Sequence, residues 1–297
     1  MYKQIDSNKR RTFFLFFFFF IFVVALGYLL SWYFDNPLIL VAAVAFSVIQ
    51  SLISYYYSDS ITLAISQAHE APREEPFLEL HRLVENLSIT AGIPKPRVYV
   101  INDSAPNAFA TGRDPKHAAV AVTTGLLEKL NKNELEGVVA HELSHIENYD
   151  IRVMTVVVVL VGVVALLSDF FLRWTWFGGG RRDEREGGGQ LGAILLIVGI
   201  VLAILAPLFA TLIQLAISRS REYLADADGA LLTRYPEGLA SALEKIALDK
   251  EPLEVANRAT AHLYIESPLK GQNVSRLFST HPPVEERIKK LREMIIR

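Results

Sequence analysis

The sequence predicts a mainly α-helical membrane protein in which four transmembrane helices carry a small α+β domain, and three observations lead there. Charge-free apolar runs at residues 12–34, 38–57 and 191–217, with a shorter one at 153–168, reach or approach the length that crosses a bilayer. Two short β-rich stretches, 97–101 and 118–123, predict a small sheet. Between the second stretch and the run at 153 lies a helix-patterned segment containing His141-Glu142-Leu143-Ser144-His145.

Composition bounds the possibilities further. With 51% apolar residues among 297, part of the mass belongs in lipid. A net charge of -2 leaves no basic surplus for phosphates and argues against a nucleic-acid partner. There is no cysteine, so disulfides and thiolate ligands are excluded and any metal must be held by His, Asp or Glu.

Taken in order, the tail 1–11 carries Lys3, Lys9, Arg10 and Arg11 against Asp6. The run at 12–34 then spans about 35 Å as a helix, enough for the hydrocarbon core. It is longer than a signal-peptide apolar region and continues past Ala25-Leu26-Gly27, so an uncleaved anchor is expected rather than a cleaved signal. Phe16 to Phe20 are expected to face lipid. Asp35-Asn36-Pro37 makes a turn, and the second arm, 38–57, ends on Tyr55, Tyr56 and Tyr57, an aromatic belt. Residues 1–58 thus form a transmembrane hairpin. From 59 the chain is expected to leave the membrane and, through a polar, proline-bearing linker at 70–76, to enter the first part of a soluble domain, 59–152.

Within that part, Phe77, Leu80, Val84 and Leu87 fall at helical spacing until Gly92-Ile93-Pro94 stops the helix. Between the two predicted strands, Asn107-Ala108-Phe109-Ala110-Thr111-Gly112 reads either as a hairpin loop or as an edge strand able to pair with an extended peptide. Residues 153–217 are expected to form a second transmembrane hairpin, with arms at 153–172 and 191–217 and a charged, glycine-flanked loop at 173–190. The first arm is short of charge-free length, and a buried, half-inserted helix is its alternative. The remainder, 218–297, is expected to be soluble and helical, ending in a helix at 284–296 with Ile288, Leu291 and Ile295 on one face.

An HExxH arises by chance roughly once in a hundred chains of this length, so its context matters. Asn131 followed by Glu134 forms a capping-box pattern that opens a helix, and Leu135, Val138, Val139 and Ile146 would bury one side of it. His141 and His145, four apart, project from one face and can reach one Zn²⁺, with Glu142 placed to polarise a water. A core helix with two polar histidines is the plain alternative.

A catalytic zinc needs a third protein ligand. In Arg221-Glu222-Tyr223-Leu224-Ala225-Asp226, Glu222 can bind metal while Asp226 accepts a ring N–H from a liganding histidine. The same letters also suit a solvated, charge-paired helix, Arg219 with Glu222. Two apolar segments separate His145 from Glu222, and an even number of crossings returns both half-sites to one compartment. The basic tail makes that compartment the cytoplasm, although Arg173, Arg181, Arg182 and Arg185 in the second hairpin's loop pull the other way. His69, His81, His117 and His262 show no ligand spacing and read as structural or surface residues.

Together, the HExxH after one transmembrane pair, the Arg-Glu-x-x-Ala-Asp at 221–226 after another, the Asn-Ala-Phe-Ala-Thr-Gly at 107–112 and the Ser-Thr-His-Pro-Pro at 279–283 resemble the HtpX family over nearly the whole chain. These are prokaryotic membrane zinc metalloproteases related to the CAAX prenyl proteases. The resemblance implies a zincin-like domain of the gluzincin type, one Zn²⁺ per chain on His141, His145 and Glu222, and Glu142 as general base. It implies an edge strand whose Asn107, Ala108, Phe109 and Ala110 bind substrate. It also implies that His281, which from the bare sequence could merely cap a loop, donates a hydrogen bond to the tetrahedral oxyanion. Biologically it implies cleavage of membrane or misfolded proteins in quality control under stress, by a multi-pass protein of the cytoplasmic membrane whose protease domain faces the cytoplasm. Two alternatives stay open: a CAAX-type prenyl protease, and a zinc-binding membrane scaffold without catalysis, against which the intact Glu142 argues. A transporter is disfavoured because the apolar helices carry few ionisable groups.

Overall fold

The computed structural model describes residues 2–178, 219–255, 260–266 and 282–295. Two long helices, α1 (Tyr2–Tyr33) and α2 (Pro37–Ile65), lead the chain as a hairpin. Asn36 caps α2 by accepting the Leu38 N–H, and Pro37 takes the first helical position, where a missing N–H costs nothing. After them come β1 (His69–Glu70), α3 (Leu78–Ala91), β2 (Arg97–Ile101), β3 (Ala108–Gly112), β4 (Ala118–Thr123) and the short α4 (Thr124–Lys129). The chain continues through α5 (Lys132–Glu147) and α6 (Asp150–Gly178), then α7 (Arg219–Thr233), α8 (Pro236–Leu248) and α9 (Val284–Ile295).

The four strands form one sheet in the order β1-β2-β4-β3. β4 is central, parallel to β2 from Arg97↔Ala119 to Ile101↔Thr123 and antiparallel to β3 from Ala108↔Val122 to Gly112↔Ala118. Because side chains alternate across a strand, β4 serves two cores. Val120 and Val122 pack with Val138, Val139, Leu143 and Ile146 of α5 and with Leu239 and Leu243 of α8. Ala119 and Ala121 face the other way, against Val153, Val157 and Val158 of α6. Burying each such Val, Leu or Ile side chain contributes about 1.5–3 kcal/mol, so the helix bearing the HExxH is fixed mainly by its apolar side.

The helix expected from the capping pattern is α5: Asn131 accepts the Glu134 N–H while Glu134 accepts the Asn131 N–H, a complete capping box. The stretch 107–112, open between loop and strand, contains β3, an edge strand. β1 was not expected from the sequence; two residues are too few for a periodic signal.

Two sequence expectations are corrected. The chain does not leave the helical hairpin at 59, because α2 runs on to Ile65; Ser58 and Thr62 turn inward, and Asp59 pairs with Arg97 of β2. Phe19 does not face lipid with its neighbours but packs with Val23 against Val156 and Leu160 of α6. Phe16 is partly buried against the same cluster, whereas Phe17, Phe18 and Phe20 are exposed.

Among the described residues two helices, α1 and α2, are long and apolar enough to cross a membrane. The predicted first arm of the second hairpin falls in α6, whose Val153 to Leu160 are buried against the sheet, α1 and α2. The second arm at 191–217 lies outside the described residues, as does nearly all of the loop.

Candidate metal centre

Two helices, α5 and α7, meet at the site. His141 and His145 point from one face of α5 towards Glu222 at the start of α7, and all three are buried. The two imidazoles approach through their Nε2 atoms, 3.2 Å apart. Glu222 Oε2 lies 3.8 Å from His141 Nε2, and its Oε1 lies 3.6 Å from His145 Nε2. Their ligand atoms all fall within 4.8 Å of one another, so the three could hold one metal ion. The alternative of a solvated, charge-paired helix around Glu222 is therefore not what forms, since the residue is 2% exposed.

The opposite ring nitrogens decide which atoms face the centre. Asp226 Oδ1 lies 3.0 Å from His141 Nδ1, and Asp150 Oδ2 lies 3.0 Å from His145 Nδ1. A carboxylate at Nδ1 keeps the proton on that nitrogen and leaves the Nε2 lone pair free to bind. Two such lone pairs and a carboxylate oxygen converge in one buried space. The donor set, two imidazoles and a carboxylate, fits a divalent transition metal. Electrostatics agrees: burial works to keep His145 neutral, yet Asp150 and Glu222 push its pKa up to about 9. A site that raises an imidazole this far favours a cation. His141 is instead held below its ordinary value, chiefly by burial.

Glu142 is next to the ligands and 1% exposed. Burial pushes its pKa up to about 7, with Glu222 adding to the rise while His145 and the nearby Ala110 backbone pull it down. Along the outer edge of β3, the Ala108 carbonyl accepts the Ile265 N–H at 3.0 Å, and the Gly112 N–H lies 3.4 Å from Thr155 Oγ1. Asn107 donates from Nδ2 to the Glu266 carbonyl, and Phe109 stacks edge-on with Tyr264.

Several participants were not singled out in the sequence. Arg287 of α9, fully buried, holds Asp226 with two hydrogen bonds of 2.9 and 2.7 Å. Burial opposes the Asp226 charge, but Arg287 and His141 keep that carboxyl well below the usual range. Nothing near Arg287 in the sequence marks it, since its partner is 61 positions away. Asp150 was legible in principle, five residues after His145 at the start of an apolar helix. Among the remaining histidines, His81 Nε2 bonds the Ala71 carbonyl and His262 Nε2 the Met154 carbonyl, both buried, while His117 is exposed beside Asp114 and His69 is exposed. His281 lies outside the described residues.

Comparison with known proteins places this centre in context. Residues 74–295 match the model of Peptidase family M48. The protein named "Protease HtpX homolog" from Caldanaerobacter subterraneus subsp. tengcongensis is 48% identical over 297 residues, covering 100% of this chain and 98% of the relative. That of Thermoanaerobacter pseudethanolicus is 49% identical, covering 99% and 98%, and that of Lactobacillus helveticus 45%, covering 99% and 100%. In fold, the chain is similar to the crystal structure of S. mikatae Ste24p, with a TM-score of 0.50 at 19% identity, covering 98% of this chain and 67% of that one. With the family matched from residue 74 to 295, full-length HtpX relatives and a His-His-Glu cluster able to hold a metal ion, the chain belongs to peptidase family M48 and is a membrane-associated metalloprotease.

Proposed function

We propose that the chain is a zinc endopeptidase of a prokaryotic cytoplasmic membrane, cleaving membrane or misfolded proteins with its protease domain on the cytoplasmic side. His141, His145 and Glu222 hold the zinc, and the observation that carries this is the pair of carboxylates, Asp226 and Asp150, that turn both Nε2 atoms towards Glu222. When bound, zinc supplies the Lewis acidity that makes water a nucleophile near neutral pH and polarises the scissile carbonyl.

Glu142 moves the protons. Its carboxylate takes one from the attacking water and returns one to the leaving amine, a task suited to a carboxyl whose burial brings it near neutrality. β3 binds the substrate as an added strand, through Asn107, Ala108, Phe109 and Ala110. The position of β3 at the edge of the sheet, with the Ala110 backbone near Glu142, supports this, since a peptide along that edge would run close to the base. Pairing at Ala108 requires the Ile265 bond to be replaced by the substrate. His281 is assigned the oxyanion contact, on the Ser-Thr-His-Pro-Pro resemblance alone.

Glu142→Gln tests the reading, because the change keeps volume and all three ligands. The variant is expected to bind zinc like the parent and to lose cleavage of a casein-type substrate by about 10²–10⁴-fold. Zinc lost together with activity, or activity retained, would refute the role assigned to Glu142.

A further inference from the structure

We infer that Asn8, in the tail preceding the first apolar run, is a positioning residue for the metal centre, acting through Asp150 on His145. The inference rests on the metalloprotease reading above and extends it to a part of the chain that carries no ligand.

Asn8 lies at the start of α1 and is 0% exposed. Its Nδ2 donates to Asp150 Oδ1 at 2.7 Å and to the Asn148 carbonyl at 2.9 Å, and its Oδ1 accepts from Arg221 Nη1 at 3.2 Å. Arg221 Nη1 also lies 3.3 Å from Asp150 Oδ1. The two oxygens of Asp150 are thereby divided: Oδ1 is held by Asn8 and Arg221, and Oδ2 reaches His145 Nδ1. Turning the carboxylate would break both sets at once. One turn further along α1, Thr12 donates its hydroxyl to the Asn8 carbonyl at 3.0 Å and stays buried beside it.

The chemistry requires an amide. Between a carboxylate that must be given a proton and a guanidinium that must give one, the side chain has to donate at one atom and accept at the other. Asn does both from a short stem; Asp would set an acceptor against Asp150, and Ala would leave both charged partners without it. The network also reaches two of the three ligands, His145 through Asp150 and Glu222 through its chain neighbour Arg221. The centre is thus assembled from the α5–α6 turn, the start of α7 and the first helix of the apolar hairpin. How α1 is seated is coupled to how the metal is held.

The experiment uses the full-length chain in detergent. Zn²⁺ affinity is measured by competition with a colorimetric chelator, and the Co²⁺-substituted protein gives an absorption spectrum that reports ligand geometry. Contacts behind a ligand typically contribute about 10–100-fold in affinity, so Asn8→Ala is expected to weaken zinc about tenfold and to alter the Co²⁺ spectrum. Asn8→Gln should recover part of both, and Lys9→Ala, on the exposed side, should match the parent. Because Asn8 acts through Asp150, adding Asn8→Ala to Asp150→Asn should cost little more than Asp150→Asn alone. If Asn8→Ala does not fold, Asn8→Asp keeps the size and the Arg221 contact, and it should weaken zinc at least as much. Unchanged zinc affinity in the folded Asn8 variants, or fully additive losses in the double variant, would overturn the proposal while leaving the metal site intact. If Asp150→Asn and Glu222→Ala also bind zinc like the parent, the underlying metal reading fails instead.

Discussion

Asp226 shows how a single charge is kept where the centre needs it. Buried and beside His141, it would be neutral or unstable without Arg287, whose guanidinium meets it with two hydrogen bonds and spends a third, of 2.9 Å, on the Ile265 carbonyl. Removing one member of such a pair leaves a buried charge with no counter-charge, a loss of about 3–5 kcal/mol. Arg287→Met is therefore expected to lower the melting temperature in detergent substantially and to weaken zinc binding through His141. Arg287→Lys keeps the charge but not the planar fork and should fall between. A melting curve for Arg287→Met that overlays the parent would show the pair to be dispensable. The same residue marks where sequence reading stops. Glu222 and Asp226 are legible because their spacing is helical and local, whereas Arg287 reaches Asp226 through tertiary packing of α9, and Asn8 reaches Asp150 across 142 positions.

At the scale of elements, α5 is the part most fully written in local signals, because its start, its buried side and its ligands all obey one helical period. Its capping glutamate also yields a pH prediction. Burial works against the Glu134 charge, but hydrogen bonds from Lys245, Ser241 and the Asn131 backbone hold its carboxyl below the ordinary value of 4.5. A folded-state value below the unfolded one stabilises the fold above the unfolded value, and that gain is lost as pH falls through the folded one. Glu134→Gln should thus be less stable than the parent at pH 7, by about 1–2 kcal/mol. The gap should shrink as pH falls below the ordinary value of 4.5 and close once the parent's own Glu134 is protonated in the fold. A gap constant from pH 7 to pH 3 would mean that the charge plays no part.

Packing between elements was less legible. Gly137 and Gly229 look unremarkable in helical sequence, yet a Cβ on Gly137 would lie 2.6 Å from the Leu239 backbone nitrogen, and one on Gly229 3.0 Å from that of His141. These glycines set how closely α8 and α7 approach the HExxH helix. Gly229→Ala is expected to cost about 1–3 kcal/mol by overpacking and, because the displaced backbone belongs to His141, to weaken zinc as well. Stability and zinc affinity both equal to the parent's would show that α7 can shift without disturbing the centre.

For the whole molecule, the centre constrains topology. His145 on α5 and Glu222 on α7 share one site, so the chain between them crosses the membrane an even number of times or not at all. α6 leaves that site at Asp150 and runs 29 residues to Gly178, about 43 Å at about 1.5 Å per residue. Its first half is buried in the protein, and a helix of this length still has the reach to carry its far end to the other side. We expect two crossings, with α6 as the outgoing arm. The native chain has no cysteine, so single-cysteine variants give a clean background for an impermeant thiol label. Asn86→Cys on α3 and Lys289→Cys on α9 sit at exposed positions of the protease domain. Gly179→Cys follows the end of α6. In intact cells Gly179→Cys should label, and the other two should label only after permeabilisation. Labelling of Gly179→Cys from the cytoplasmic side alone would mean that the chain after α6 returns without crossing; the metal centre would survive that result, but the four-helix arrangement would not. Labelling of Asn86→Cys and Lys289→Cys in intact cells, with Gly179→Cys protected, would keep the crossings and invert the orientation, placing the protease outside and removing the basis for a cytoplasmic substrate pool.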